Sequence, residues 1–185
     1  MNAPVRLRMT PEEFEPWETR QAVKHELVGG EVRAMAGAQV RHNMVSRNVL
    51  VALANGLRGR PCQPFGSDLR VAIPNGNYRY PDITVDCGKP RPDAMYADKP
   101  TVMIEVLSEA NDWFDVRSRL ADYQSIPTVR HIAIFSTEEL RADLWTRGSD
   151  GWTNAEAFDV EGVVDFAALD IRLALSEAYE GAFDE

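Results

Sequence analysis

Two short stretches constrain this chain more than any others: Arg79-Tyr80-Pro81-Asp82-Ile83-Thr84-Val85 and Thr101-Val102-Met103-Ile104-Glu105-Val106-Leu107-Ser108. Both read as strands, and each carries one carboxylate where a strand should be apolar. Pro81 has no N–H to give a ladder, so it suits a strand's first residue, with Asp82 at the strand mouth. Ile83 and Val85 then point to the face opposite Asp82. The second stretch is a nearly unbroken apolar run, the pattern of a strand covered on both faces. Glu105 stands in its middle.

An ionised carboxylate in such a strand is costly unless it is paired, neutralised or bound to a metal. A second carboxylate on a neighbouring strand raises that cost, and a divalent cation between the two reverses it. Oxygen ligation by one or two carboxylates is what Mg²⁺ accepts while keeping waters that a phosphate can replace. The plainer alternative pairs Glu105 with an arginine such as Arg119 and leaves Asp82 capping a turn.

At 185 residues and 44% hydrophobic content, one domain spanning 1–185 with one core is the expectation. No apolar run approaches the roughly 18 residues of a membrane span. Met1-Asn2-Ala3-Pro4-Val5-Arg6 lacks a signal-peptide core, so the expected location is the cytoplasm. Cys62 and Cys87 form no CxxC and read as reduced, buried thiols. The net charge of −9, from 20 Lys+Arg against 29 Asp+Glu, argues against bulk attraction to nucleic acid. Arg41, Arg47, Arg58, Arg60, Arg70 and Arg79 adjoin the site stretches, as a local basic track or as scattered, solvated arginines.

Local signals place the remaining elements. Thr10-Pro11-Glu12-Glu13 is a helix start with a capping box, carrying Phe14 and Trp17 inward. Gly29-Gly30 joins His25–Val28 to Glu31–Met35 as a hairpin. Apolar residues at helical spacing predict a helix from about Asn43 to Leu57, and alternation predicts one strand from Phe65 to Ile73. A polar loop after Ser108 leads to a helix over Asp115–Ser125 with Leu120 and Tyr123 inward. Strands at Val129–Phe135 and Ala142–Thr146 follow, with a turn at Gly148–Gly151. Helices between strands predict an α/β sandwich around a mixed sheet. Asp68 is a weak acidic candidate, His42 a phosphate contact or a structural histidine, and Asp86 a solvated residue near Gly88. Three histidines without ligand spacing argue against zinc.

Pro81-Asp82, then 22 intervening residues, then Glu105-Val106-Leu107-Ser108 resembles the PD-(D/E)XK nuclease superfamily, and within it the Uma2 (DUF820) family. His25–Val32, Met35–Ala38, Arg41-His42-Asn43, Phe65–Val71 and Leu175–Gly181 are similar to that family's segments, in its order. The resemblance implies a restriction-endonuclease-like mixed β-sheet flanked by helices, with an additional N-terminal hairpin and β-meander. It implies an Mg²⁺- or Mn²⁺-dependent endonuclease on DNA, with Asp82, Glu105 and the Val106 carbonyl on the metal. Glu26 is implied as a third active-site carboxylate; its alternative is a surface glutamate. The superfamily lysine two residues after the glutamate is Leu107 here. The resemblance moves the basic residue to the next helix, where Arg119 stands in place of lysine, one turn after Asp115. Arg119 stays protonated and cannot act as a base, but it can hold a phosphate or stabilise developing charge. A degenerate nuclease fold that only binds nucleic acid or protein is one rival reading; a structural scaffold with a buried Glu105–Arg119 pair is another. DNA is the expected partner, a homodimer is left open, and no membrane association is expected.

Overall fold

The computed structural model describes residues 7–89, 91–107 and 113–183. The polar loop expected after Ser108 and the leading residues 1–6 lie outside them. Helix α1 (Pro11–Glu18) begins with the capping box expected: the Thr10 hydroxyl accepts from Glu13 N and the Glu13 carboxylate accepts from Thr10 N. Phe14 is buried, whereas Trp17 is only half-buried and packs edge-on against His25. Strands β1 (His25–Val28) and β2 (Glu31–Ala34) form the expected hairpin. Gly29 and Gly30 both have positive φ, +58° and +77°, as a tight turn of matching twist requires. Helix α2 (Val40–Gly56) follows.

The chain between Phe65 and Ile73 departs from the expected single strand. It forms β3 (Gln63–Gly66) and β4 (Val71–Ala72), which belong to different sheets. The turn residues Gly66-Ser67-Asp68 part them, with Leu69 N bonding back to Gly66 O. The first site stretch is divided in the same way. Tyr78–Arg79 is β5 and Ile83–Asp86 is β6, again in different sheets. Pro81 offers no donor at this crossing, and the Tyr80 N–H goes to Glu26 Oε1 at 3.1 Å instead of to a strand.

Strand β7 (Pro100–Leu107), helix α3 (Trp113–Ser125), and strands β8 (His131–Ser136), β9 (Arg141–Gly148) and β10 (Gly151–Phe158) complete the central unit. The larger sheet has the order β10-β9-β8-β7-β6-β3 and is mixed: β7 and β8 are parallel across α3, the other neighbours antiparallel. A second sheet runs β2-β1-β5-β4. Strands β11 (Val163–Phe166) and β12 (Ile171–Ala174), which no local signal announced, pair near the C-terminus before the short helix α4 (Leu175–Ala178).

Strand β7 shows why its sequence is apolar throughout. Val102, Ile104 and Val106 face a core shared with Val45, Val49 and Leu53 of α2. Met103 faces a second core with Tyr123, Ile126 and Ile132 on the α3 side. Glu105 alternates with its neighbours and so belongs to that second face.

Two further expectations are corrected. Cys62 and Cys87 are not free thiols but form a disulfide. The antiparallel register that pairs Gln63 with Asp86 brings the preceding and following residues, Cys62 and Cys87, side by side at the sheet edge. Asp86 is not solvated: it is fully buried and accepts from the amides of Gly88, Asp98 and Lys99. Among the described residues no helix is long and apolar enough to cross a membrane.

Candidate active site

In β7 and β6, Ile104 lies opposite Ile83. Stepping one residue along each antiparallel strand brings Glu105 and Asp82 to adjoining positions on the other face. Both line a cavity of about 440 Å³, together with Glu26, Val106 and Arg119. The five residues that the family resemblance implies for the site therefore line one cavity. His42, Asp115 and Arg33 share the lining.

Glu26 is no surface glutamate. It is 3% exposed and held by a forked contact from Arg119, Nη1 to Oε1 at 3.0 Å and Nη2 to Oε2 at 3.1 Å. Arg79 Nη1 adds a bond to its Oε2 at 3.2 Å. Arg119 also reaches Glu105 Oε1 at 3.3 Å and, through Nε, Asp115 Oδ2 at 3.0 Å. The Tyr123 hydroxyl donates to the same Glu105 oxygen. Asp82 accepts on Oδ2 from Val106 N at 2.8 Å and contacts His42 Nε2 at 3.2 Å.

Helix α3 supplies most of this order. Asp115, Ser118, Arg119, Asp122 and Tyr123 fall at the i, i+3, i+4, i+7, i+8 spacing of one helix face. Ser118 and Asp122 hold Arg79 through Oγ at 2.8 Å and Oδ2 at 2.8 Å. Asn75 and Asn77 donate to Asp122 in turn. Arg79 is thus fully buried with each of its three side-chain nitrogens hydrogen-bonded, which overturns its place in a surface track. Arg70 is buried as well, against Glu15 and Glu18. Arg41 and Arg60 are used on backbone carbonyls. Asp68 is an exposed partner of Lys24, outside the cavity that holds Glu105.

Burial pushes Glu105 up to about 7, with Asp82 and Glu26 adding to the rise and Arg119 and Tyr123 opposing it. The bond to Asp82 raises His42, and burial opposes that rise. Burial and the Glu105 charge push the Tyr123 hydroxyl well above its usual range, so it donates and stays neutral. Burial works against the Arg119 charge, but Glu105, Glu26 and Asp115 outweigh it and fix the guanidinium as a cation. Burial likewise pulls Asp115 up, and Arg119, Arg79 and Arg33 together take it below the usual carboxylate range.

Among the described residues no three His, Cys, Asp or Glu side chains are gathered tightly enough to hold a metal ion by themselves. Two carboxylates do suffice for a hard divalent ion that retains water. Asp82 accepts through Oδ2 and Glu105 through Oε1, which among the described residues leaves Oδ1 of one and Oε2 of the other for such an ion. The all-oxygen donor set fits Mg²⁺ or Mn²⁺.

His42, Arg79 and Tyr123 were undervalued by local reading. His42 looked like a lone histidine and Tyr123 like core. The signal for Tyr123 lay in the polar residues at helical spacing around it, on a helix face that also had to be buried.

The site thus lies in a mixed α/β sheet flanked by helices, with a carboxylate pair where β7 adjoins the entry to β6. In fold the chain matches a crystal structure described as "a putative nuclease belonging to DUF820" from Anabaena variabilis ATCC 29413. The TM-score is 0.77 at 14% identity, over 95% of this chain and 99% of that one. The chain belongs to the Uma2 family, described as "Putative restriction endonuclease", whose profile matches residues 11–176. It is 27% identical over 176 residues to the uncharacterized protein slr1290 of Synechocystis sp. (strain ATCC 27184 / PCC 6803 / Kazusa), covering 94% of this chain and 93% of that protein. It is 26% identical over 168 residues to the uncharacterized protein sll1609 of the same organism, covering 88% and 95%.

Proposed function

We propose that this protein is an Mg²⁺-dependent endonuclease, with Mn²⁺ an effective substitute, that hydrolyses phosphodiester bonds in DNA. The observation that carries this reading is the meeting of Asp82, at the entry to β6, with Glu105 of β7 on the lining of one cavity. Asp82, Glu105 and the Val106 carbonyl would hold the cation. When bound, such an ion neutralises phosphate charge and makes water acidic enough to attack at neutral pH.

The chain's own residues have distinct parts in this reading. Val106 N–H and His42 fix the Asp82 carboxylate in one orientation. Tyr123 does the same for Glu105. Arg119, anchored by Glu26 and Asp115, offers a fixed positive charge beside the carboxylates, suited to a phosphate oxygen as negative charge grows there. It cannot accept a proton at any working pH.

Circular DNA, single-stranded and supercoiled, tests the reading, because only an endonuclease opens a circle. With Mg²⁺ or Mn²⁺ the protein should cut, and Asp82→Asn and Glu105→Gln should not. Equal cutting by parent and Asp82→Asn would overturn the assignment. A second reading, a degenerate fold that binds without cutting, draws on Leu107 and Arg119 standing where proton-sharing lysines would serve. Arg119→Lys separates the two. Cleavage that appears only in that variant selects the degenerate reading, and cleavage lost in Arg119→Ala with metal binding intact selects the first.

A further inference from the structure

The cavity is poorly suited to a duplex lying on the surface. Two of its carboxylates are deep, Glu26 and Glu105 at 3% and 4% exposed, while Asp82 and Asp115 stand nearer the mouth. Its formal charge opposes phosphate, because the carboxylates of Glu26, Asp82, Glu105 and Asp115 outnumber the two guanidiniums of the lining, Arg33 and Arg119; His42 adjoins Asp82, and Arg79 reaches Glu26 and Asp115 from behind the lining. Those two guanidiniums are already engaged, Arg33 with Asp115 at 3.1 Å and Arg119 with three carboxylates. A divalent cation would offset this negative excess and let a phosphate approach.

Beyond the cavity, the arginines that adjoin the site stretches make a weak track for a phosphate backbone. Arg41, Arg60, Arg70 and Arg79 are committed to internal carbonyls and carboxylates. Among the described residues, Arg47 and Arg58 on and after α2 hydrogen-bond through their side chains to Asn48 and Asn55. A protein that tracks duplex DNA neutralises six to ten phosphates with roughly that many basic side chains. The cavity volume of about 440 Å³ lies instead in the range of pockets that enclose one small ligand. One side of it is made of small, exposed residues, Ala36 and Ala38 on either side of Gly37, which leave room for a base or sugar.

We infer that the site takes one nucleotide of an unpaired DNA strand, single-stranded or locally opened, and takes it only together with a divalent cation. This rests on the nuclease reading and narrows its substrate. An unpaired strand can push one phosphate down to buried carboxylates, whereas a stacked duplex holds its phosphates on a rigid outer surface. Extruding a nucleotide from a duplex costs a few kcal/mol, and an unpaired strand avoids that cost.

Fluorescence anisotropy with Ca²⁺, which takes the same oxygen ligands, tests this on the full chain. The probes are a labelled oligothymidylate and the same strand fully paired to its complement. The unpaired strand should bind at least about tenfold more tightly, and removing Ca²⁺ should abolish that binding. The slope of log K against log salt should be about −1.4 or shallower, the value for two phosphates on a single strand. Ala36→Trp should weaken strand binding about tenfold or more while calorimetric Ca²⁺ affinity stays unchanged; Ala38→Trp replaces it if the first variant does not fold. Equal or tighter duplex binding, a slope of −5 or steeper, or strand binding untouched by the tryptophan overturns the inference and leaves the nuclease reading standing. Calcium binding with no affinity for either DNA overturns both.

Discussion

Helices α2 and α3 flank the same sheet and obey the same 3.6-residue period, yet they bury opposite chemistry. Helix α2 turns Val45, Val49 and Leu53 into a dry core against β6 and β7. Helix α3 turns Asp115, Ser118, Arg119, Asp122 and Tyr123 inward, toward Glu105, Glu26 and Arg79. One face of the sheet is stabilised by removing apolar area from water. The other sets beside the smaller core of Met103, Ile126 and Ile132 a group of charges that must be mutually satisfied, because each would be costly alone. A site that gathers charge needs such a partner face, since the sheet itself contributes only Glu105 and Asp82.

The comparison is broken most severely at Arg79. Arg79→Met would leave Glu26 and Asp122 short of a buried counter-charge and should cost about 4 kcal/mol by urea unfolding. A change below about 1 kcal/mol would show that the α3 face tolerates an uncompensated charge. On the opposite face, Leu53→Ala should cost about 3 kcal/mol, chiefly by opening a cavity. That loss should not depend on pH between 5 and 8, because the one titratable side chain in its core, Tyr179, is raised by burial above its usual range.

The α3 face, by contrast, should be pH-sensitive through Glu105. Its folded pKa of about 7 is raised above the usual 4.5, so between these values the folded state holds more protons than the unfolded one. Glu105 therefore favours folding fully below about pH 4.5, and its contribution is lost as pH rises through about 7, by about 3 kcal/mol in all. Glu105→Gln should gain relative to the parent over that window, as read from paired denaturation curves at pH 5 and 8. An unchanged difference between the two proteins would mean that Arg119 and Tyr123 keep Glu105 ionised throughout.

Metal should relieve the same burden. At a hundredfold excess over Kd, Mg²⁺ or Mn²⁺ should stabilise the protein by about 2.7 kcal/mol, seen as a rise in Tm. Asp82→Asn should abolish that rise while Leu53→Ala keeps it. A rise that survives in Asp82→Asn would place the ion elsewhere.

Much of this was written locally. The Thr10–Glu13 capping box, the Gly29-Gly30 hairpin and the apolar period of α2 each depend on residues within a few positions of one another. The pairing of Arg119 with Asp115 is a one-turn contact and was legible for that reason. The apolar run around Glu105 announced a doubly covered strand, and Pro81-Asp82 announced a strand entry, although β6 begins one residue later and β5 belongs to another sheet.

What the tertiary structure alone decided is the company each polar residue keeps. Glu26 meets Arg119 across 93 positions, and Arg79 meets Asp122 across 43. Cys62 meets Cys87 only because β3 and β6 pair in one register. The period of a sequence reports whether a residue is buried, since hydrophobic burial is non-directional and summed over a face. It does not report the partner, because a hydrogen bond or an ion pair requires two particular groups within about 3 Å, and that distance is set by the packing of the whole chain.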